Sequence, residues 1–179
     1  MILLGCRPAG RNTEQHDLFF AIGRSLSDVK SDIIDFWKEN NGKVHIDAWR
    51  EVTAVDSYTI EVVNKQGAAS SRKEKLFFIN LGGYKQNEFE EFHYRMLTVA
   101  TDKGTAIQKA KQTAFYQHTG FEGAVSHIDD KYGVDVDEIY EIEDILSSHL
   151  KEKFNIRITK AKNTRADELH LGYLKIDKI

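Results

Sequence analysis

Glu14 and His16 stand two residues apart in "GRNTEQHDLFF", and His45 and Asp47 stand two apart in "VHIDAWREV". On extended backbone an i, i+2 pair points to one side of its sheet. If the two strands are neighbours, Glu14, His16, His45 and Asp47 converge. Neutral imidazole nitrogen and carboxylate oxygen both donate to a borderline cation, so the set suits a divalent metal such as zinc, manganese or iron(II). The same groups also make an ordinary buried polar network, in which each carboxylate fixes an imidazole and the strands are pinned in register. That architectural reading ranks first and metal second. Catalysis ranks third, because a general base at His45 or His127 has no clear nucleophile beside it.

A second set follows the first. "ILLG", ending at Gly5, is echoed by "INLG", ending at Gly82. Glu14 and His16 lie nine and eleven positions past Gly5, and Glu91 and His93 lie nine and eleven past Gly82. Further on, "HIDAWREV" from His45 is matched by "HIDDKYGV" from His127. Val52, Tyr58 and Ile60 then follow Asp47 at the spacings at which Val134, Tyr140 and Ile142 follow Asp129. Two gapless blocks in one order imply an internal duplication. The expected second ligand set is therefore Glu91, His93, His127 and Asp129. Cys6 has Gly83 as its counterpart and Ser126 has Val44, so no nucleophile spans both halves. A lone small thiol after a strand reads as packing.

Each half must supply the elements that hold these groups. A short strand ends in glycine, a polar loop follows, and the Glu-x-His strand comes next. A helix is expected over "SLSDVKSDIIDFWKEN", with Leu26, Val29, Ile33, Phe36 and Trp37 on one stripe and Ser25 or Ser27 as its cap. Its counterpart is "TDKGTAIQKAKQTAFYQH", with Ile107, Ala110, Ala114 and Phe115 on the stripe. "VDSYTIEVV" alternates as a strand does, whereas "VDEIYEIEDIL" fits strand and helix equally. The tail offers a helical turn in "SSHLKEKF", and "NIRITKA" with "ELHLGYLKI" reads as a closing β-hairpin. The fold class expected is α+β: two tandem β-β-α-β type repeats with mainly antiparallel sheets, plus that C-terminal hairpin. Residues 1–65 form the first repeat, 66–75 a polar linker, 76–146 the second repeat, and 147–179 the helical turn and hairpin packed on both.

Composition bounds the partners. The chain has 179 residues, is 41% hydrophobic and 30% charged, and carries a net charge of -3 with a pI near 6.2. A dedicated nucleic-acid binder shows a basic excess instead. The basic tail residues Lys151, Lys153, Arg157, Lys160, Lys162 and Arg165 are interspersed with Glu152 and Asp167, as on a solvated face. Arg7 and Arg11 fit no phosphate-loop spacing and read as a solvent loop. One cysteine excludes an internal disulfide and favours a reducing compartment. The apolar start "MILL" is too short for a signal peptide, and no segment is long enough to span a bilayer. A soluble cytoplasmic protein with no membrane partner is expected. Its partner would be a small ligand or a protein, a second copy of the chain included.

"GRNTEQHDLFFAIG" followed by "VHIDAWREVTAVDSYTIEV" resembles the bacterial family known as domain of unknown function 1543, which occurs in one or two copies per chain. The first copy, residues 1 to about 63, is similar through Glu14, His16, Asp17, His45, Ile46 and Asp47. The second, from about Leu76 to Leu146, has Tyr94 where the first has Asp17. The resemblance implies a repeat and assigns no activity. The function expected is thus a non-enzymatic two-repeat protein that binds a ligand or partner. The alternative is a divalent-metal protein, such as a metal-dependent hydrolase, that uses the Glu-x-His and His-x-Asp pairs.

Overall fold

The computed structural model describes residues 1–40, 43–65, 73–84, 87, 89–118 and 135–179. The chain divides into two units, Met1–Gly67 with Leu146–Ile179, and Ala68–Ile145. Every strand pairing among the described residues is antiparallel, so the α+β expectation holds. No helix among them is long and apolar enough to cross a membrane.

The first unit opens with β1 (Ile2–Cys6) and β2 (Gln15–Phe19), followed by a 3-10 turn at Ser27–Val29 and helix α1 (Lys30–Phe36). Period-2 alternation puts Ile2, Leu4 and Cys6 on one face of β1 and leaves Leu3 and Gly5 on the other. The first face is buried in a core with Phe19, Val29, Ile33, Val44, Ile46 and Ile176. Leu4, Ile33 and Ile46 are wholly enclosed, so truncating any one to Ala costs about 2–5 kcal/mol. The helix stripe differs from expectation at its end. Val29 and Ile33 are buried, whereas Phe36 is half out in solvent with its ring 5.1 Å from that of Phe19. Ser25 caps the turn, its hydroxyl accepting from the Asp28 amide at 3.3 Å. Strand β3 (His45–Trp49) then returns to pair with β1. β4 (Ala54–Val55) and β5 (Tyr58–Asn64) form a tight hairpin through Asp56, whose φ is +54°.

The second unit holds β6 (Lys75–Tyr84), β7 (Glu91–Ala100), helix α2 (Lys103–His118), β8 (Asp135–Glu141) and α3 (Ile142–Ile145). The ambiguous "VDEIYEIEDIL" is thus strand to Glu141 and helix after it. Phe77, Ile79 and Leu81 of β6 pack on Ala100, Ala106 and Ala110. The alanines of α2 let the helix lie close to the sheet. Its buried line runs through Ala106 rather than the expected Ile107, which is only partly buried.

The chain closes in the first unit with α4 (Ser148–Lys153), β9 (Phe154–Lys160) and β10 (His170–Lys175). The expected C-terminal β-hairpin does not form. β9 pairs with β5 and β10 pairs with β3, giving sheet orders β4-β5-β9 and β10-β3-β1-β2, beside β7-β6-β8 in the second unit. Local alternation specifies a strand and not its neighbour, and both closing strands find edges laid down about a hundred residues earlier.

Candidate functional site

In the first unit Gly5 of β1 pairs with His16 of β2 on one side and with His45 of β3 on the other. Glu14 precedes β2 by one residue. The β1–β3 ladder slips between Leu3 and Leu4, so that Leu4 faces Ile46, Leu3 faces Ala48, and Asp47 is the extra residue of a β-bulge. These three features bring four side chains together over Gly5. A Cβ there would lie 2.5 Å from both His45 Nε2 and Asp47 Oδ2, so only glycine leaves room.

The four groups form a ring. His45 Nε2 lies 3.2 Å from Glu14 Oε1 and 3.3 Å from Asp47 Oδ1. His16 Nε2 lies 3.2 Å from Asp47 Oδ2 and 3.9 Å from Glu14 Oε2. The His45 side chain is 9% exposed and that of Asp47 25%, while His16 and Glu14 reach solvent at 40% and 44%. Tyr173 of β10 sets its ring 4.4 Å from that of His45, at a tilt of 37°. Asp47 Oδ2 is enclosed and accepts no hydrogen bond, despite the His16 nitrogen 3.2 Å away.

The second unit builds a related arrangement. Gly82 of β6 pairs with His93 of β7 and with Asp135 of β8. The β6–β8 ladder slips between Asn80 and Leu81, which makes Asp137 the extra residue, as Asp47 is in β3. A Cβ on Gly82 would collide with the Asp137 carboxylate. His93 Nε2 lies 3.9 Å from Glu91 Oε2 and 4.0 Å from Asp137 Oδ2. One ligand atom from each of Glu91, His93 and Asp137 lies within 4.8 Å of the others, and all three residues are exposed.

All four residues expected in the first set, Glu14, His16, His45 and Asp47, therefore meet. In the second set Glu91 and His93 meet as expected, while His127 and Asp129 lie outside the described residues. The positions opposite Gly82 that match His45 and Asp47 are Asp135 and Asp137, eight residues after the sequence match. Asp137 escaped the sequence comparison because "HIDD" is an almost literal copy of "HIDA". The weaker pattern shared by "VHIDAW" and "VDVDEI" is the one that follows the ladder. Cys6 faces the core, away from the ring, and burial pushes its thiol up, with the Glu14 and Glu39 charges adding to the shift.

Each Nε2 in both clusters confronts two carboxylates at once. A single N–H directs its proton at one acceptor, whereas a cation between the groups draws on the nitrogen and both oxygens together. Tetrahedral ligands at zinc-like bond lengths sit about 3.3 Å apart. Charge-assisted N–H···O contacts are shorter, at about 2.7–2.9 Å. Three contacts in the first ring, at 3.2–3.3 Å, are longer than such hydrogen bonds, and the fourth is 3.9 Å.

Residues 11–62 match the family described as Domain of Unknown Function (DUF1543), a span that ends with β5 and takes in Glu14, His16, His45 and Asp47. Among solved structures, the chain is similar to a protein Il1583 from Idiomarina loihiensis at a TM-score of 0.60 and 19% identity. That match covers 98% of this chain and 94% of the other, and shows a shared fold. No curated protein matches the sequence.

Proposed function

We infer that the protein binds a divalent metal ion in each of two related β-β-α-β modules, at Glu14, His16, His45 and Asp47 and at Glu91, His93 and Asp137. The observation that carries this reading is the convergence of two carboxylates on each imidazole nitrogen, repeated over a glycine in both units. The buried, unbonded Asp47 Oδ2 supports it, because an enclosed oxygen without a hydrogen bond costs about 1–3 kcal/mol unless something else satisfies it. The coincident bulges support it as well, since each re-aims the aspartate that completes its cluster.

The test is thermal unfolding of the full chain with chelator and then with zinc. Ion present at a hundred times its dissociation constant adds about 2.7 kcal/mol per site. For a chain of this length that raises Tm by roughly 5–10 °C. His16→Ala should reduce the zinc-dependent rise, and elemental analysis should show the lost equivalent. A Tm indifferent to both chelator and zinc would overturn the proposal and leave the four groups as a strut between β1, β2 and β3.

A further inference from the structure

We propose that the two sites differ in the ion they favour: the first prefers a borderline ion of the zinc type, and the second discriminates far less against a hard, octahedral ion of the manganese type. This rests on the metal reading above and adds selectivity to it. The first cluster offers two imidazoles and two carboxylates, with its closest contacts at 3.2–3.3 Å. The second offers one imidazole and two carboxylates, spread to 3.9–4.0 Å. Imidazole suits zinc, whereas carboxylate and water suit manganese and magnesium. Fewer protein donors leave coordination positions for water, which hard octahedral ions retain.

The neighbouring residues diverge in the same direction. The position opposite the glycine is His45 in the first unit and Asp135 in the second, a nitrogen-bearing residue against an oxygen-bearing one. Two residues before the glycine, on the same strand face, stand Leu3 in one and Asn80 in the other. Asn80 is buried, and its Nδ2 donates to Glu138 Oε2 at 2.7 Å, which fixes the amide orientation. Its Oδ1 accepts no hydrogen bond. The strand face that carries the second unit's glycine is thus polar where that of the first unit is apolar.

Zinc binds more tightly than manganese at almost any nitrogen–oxygen site, so the difference lies in the ratio of the two affinities. The experiment titrates zinc alone and manganese alone, by calorimetry, into full-length His93→Ala, which retains the first site, and His16→Ala, which retains the second. Both imidazoles are partly exposed, at 32% and 40% of their side chains, so their removal spares the core. Circular dichroism checks the fold, and Glu91→Gln and Glu14→Gln replace any variant that fails it. The Kd ratio of manganese to zinc should be larger at the first site, by on the order of tenfold for the exchange of one imidazole. Equal ratios, or the larger ratio at the second site, would overturn the proposal while leaving metal binding intact. Failure of the intact protein to bind either ion would overturn both.

Discussion

A methyl group on Gly5 would have to displace His45 and Asp47 together, because both reach over the glycine from the neighbouring strand. Gly5→Ala should therefore destabilise the first unit by about 1–3 kcal/mol, the usual cost of overpacking, as read by urea unfolding. It should also reduce the zinc-dependent rise in Tm to the part the second site supplies, because the first ring cannot close over a side chain. A variant with unchanged stability and an unchanged zinc response would show that the ring does not depend on the glycine. At this scale the sequence was informative about the first cluster. The i, i+2 spacing of Glu14 with His16 and of His45 with Asp47 set each pair on one face, and their gathering then needed only neighbouring strands. Glu91 and His93 were legible in the same way, through their spacing from Gly82. Asp137 was not, because its place depends on a bulge, and a bulge is a property of two strands in register rather than of one string.

Helix α2 illustrates how far local signals extend at the scale of an element. Its N-terminus is held by Asp102, whose Oδ1 accepts from the Thr105 backbone N–H at 2.9 Å and whose Oδ2 accepts from the Thr105 hydroxyl at 2.9 Å. The Thr105 backbone N–H, followed by the hydroxyls of Thr101 and Thr105, holds the Asp102 carboxyl below the usual aspartate range. A carboxyl lowered on folding contributes stability above its unfolded pKa, about 3.9, and loses it as pH falls through the folded value. Asp102→Asn keeps a capping acceptor but cannot titrate. Its Tm should consequently fall less steeply than the parent's between pH 5 and pH 3, and coincident profiles would refute this role for the carboxylate. The extent of α2 and the alternation of β9 and β10 were legible because they repeat within a few residues. The partners of β9 and β10 were not, because β5 and β3 compete with the nearer strand for the same hydrogen bonds.

The first unit is discontinuous in the whole molecule: residues 146–179 return to it after the second unit is complete. β9 lines the whole of β5, from Tyr58↔Lys160 to Asn64↔Phe154, and β10 lines β3 while delivering Ile176 to the core. A chain ending at Ile145 should lose the first unit's fold and keep the second unit's sheet. Trp37 and Trp49 both belong to the first unit, so tryptophan emission reports on that unit alone. The truncated chain should emit at the wavelength of urea-unfolded protein while far-ultraviolet circular dichroism retains a strand signal. Native-like emission would show that β9 and β10 are dispensable.

The split first unit also sets an order of events during synthesis. A ribosome releases β1, β2 and β3 early, yet β10 and β9, which complete the pairing of β3 and β5, leave the exit tunnel only after the second unit. The second unit is contiguous and can close as soon as Ile145 emerges. The N-terminal half of the nascent chain must then wait, with the edges of β3 and β5 open, while the later half folds. Unpaired edges of this kind invite pairing with other chains. Slow translation after residue 145 should prolong that exposure, and fast translation should shorten it.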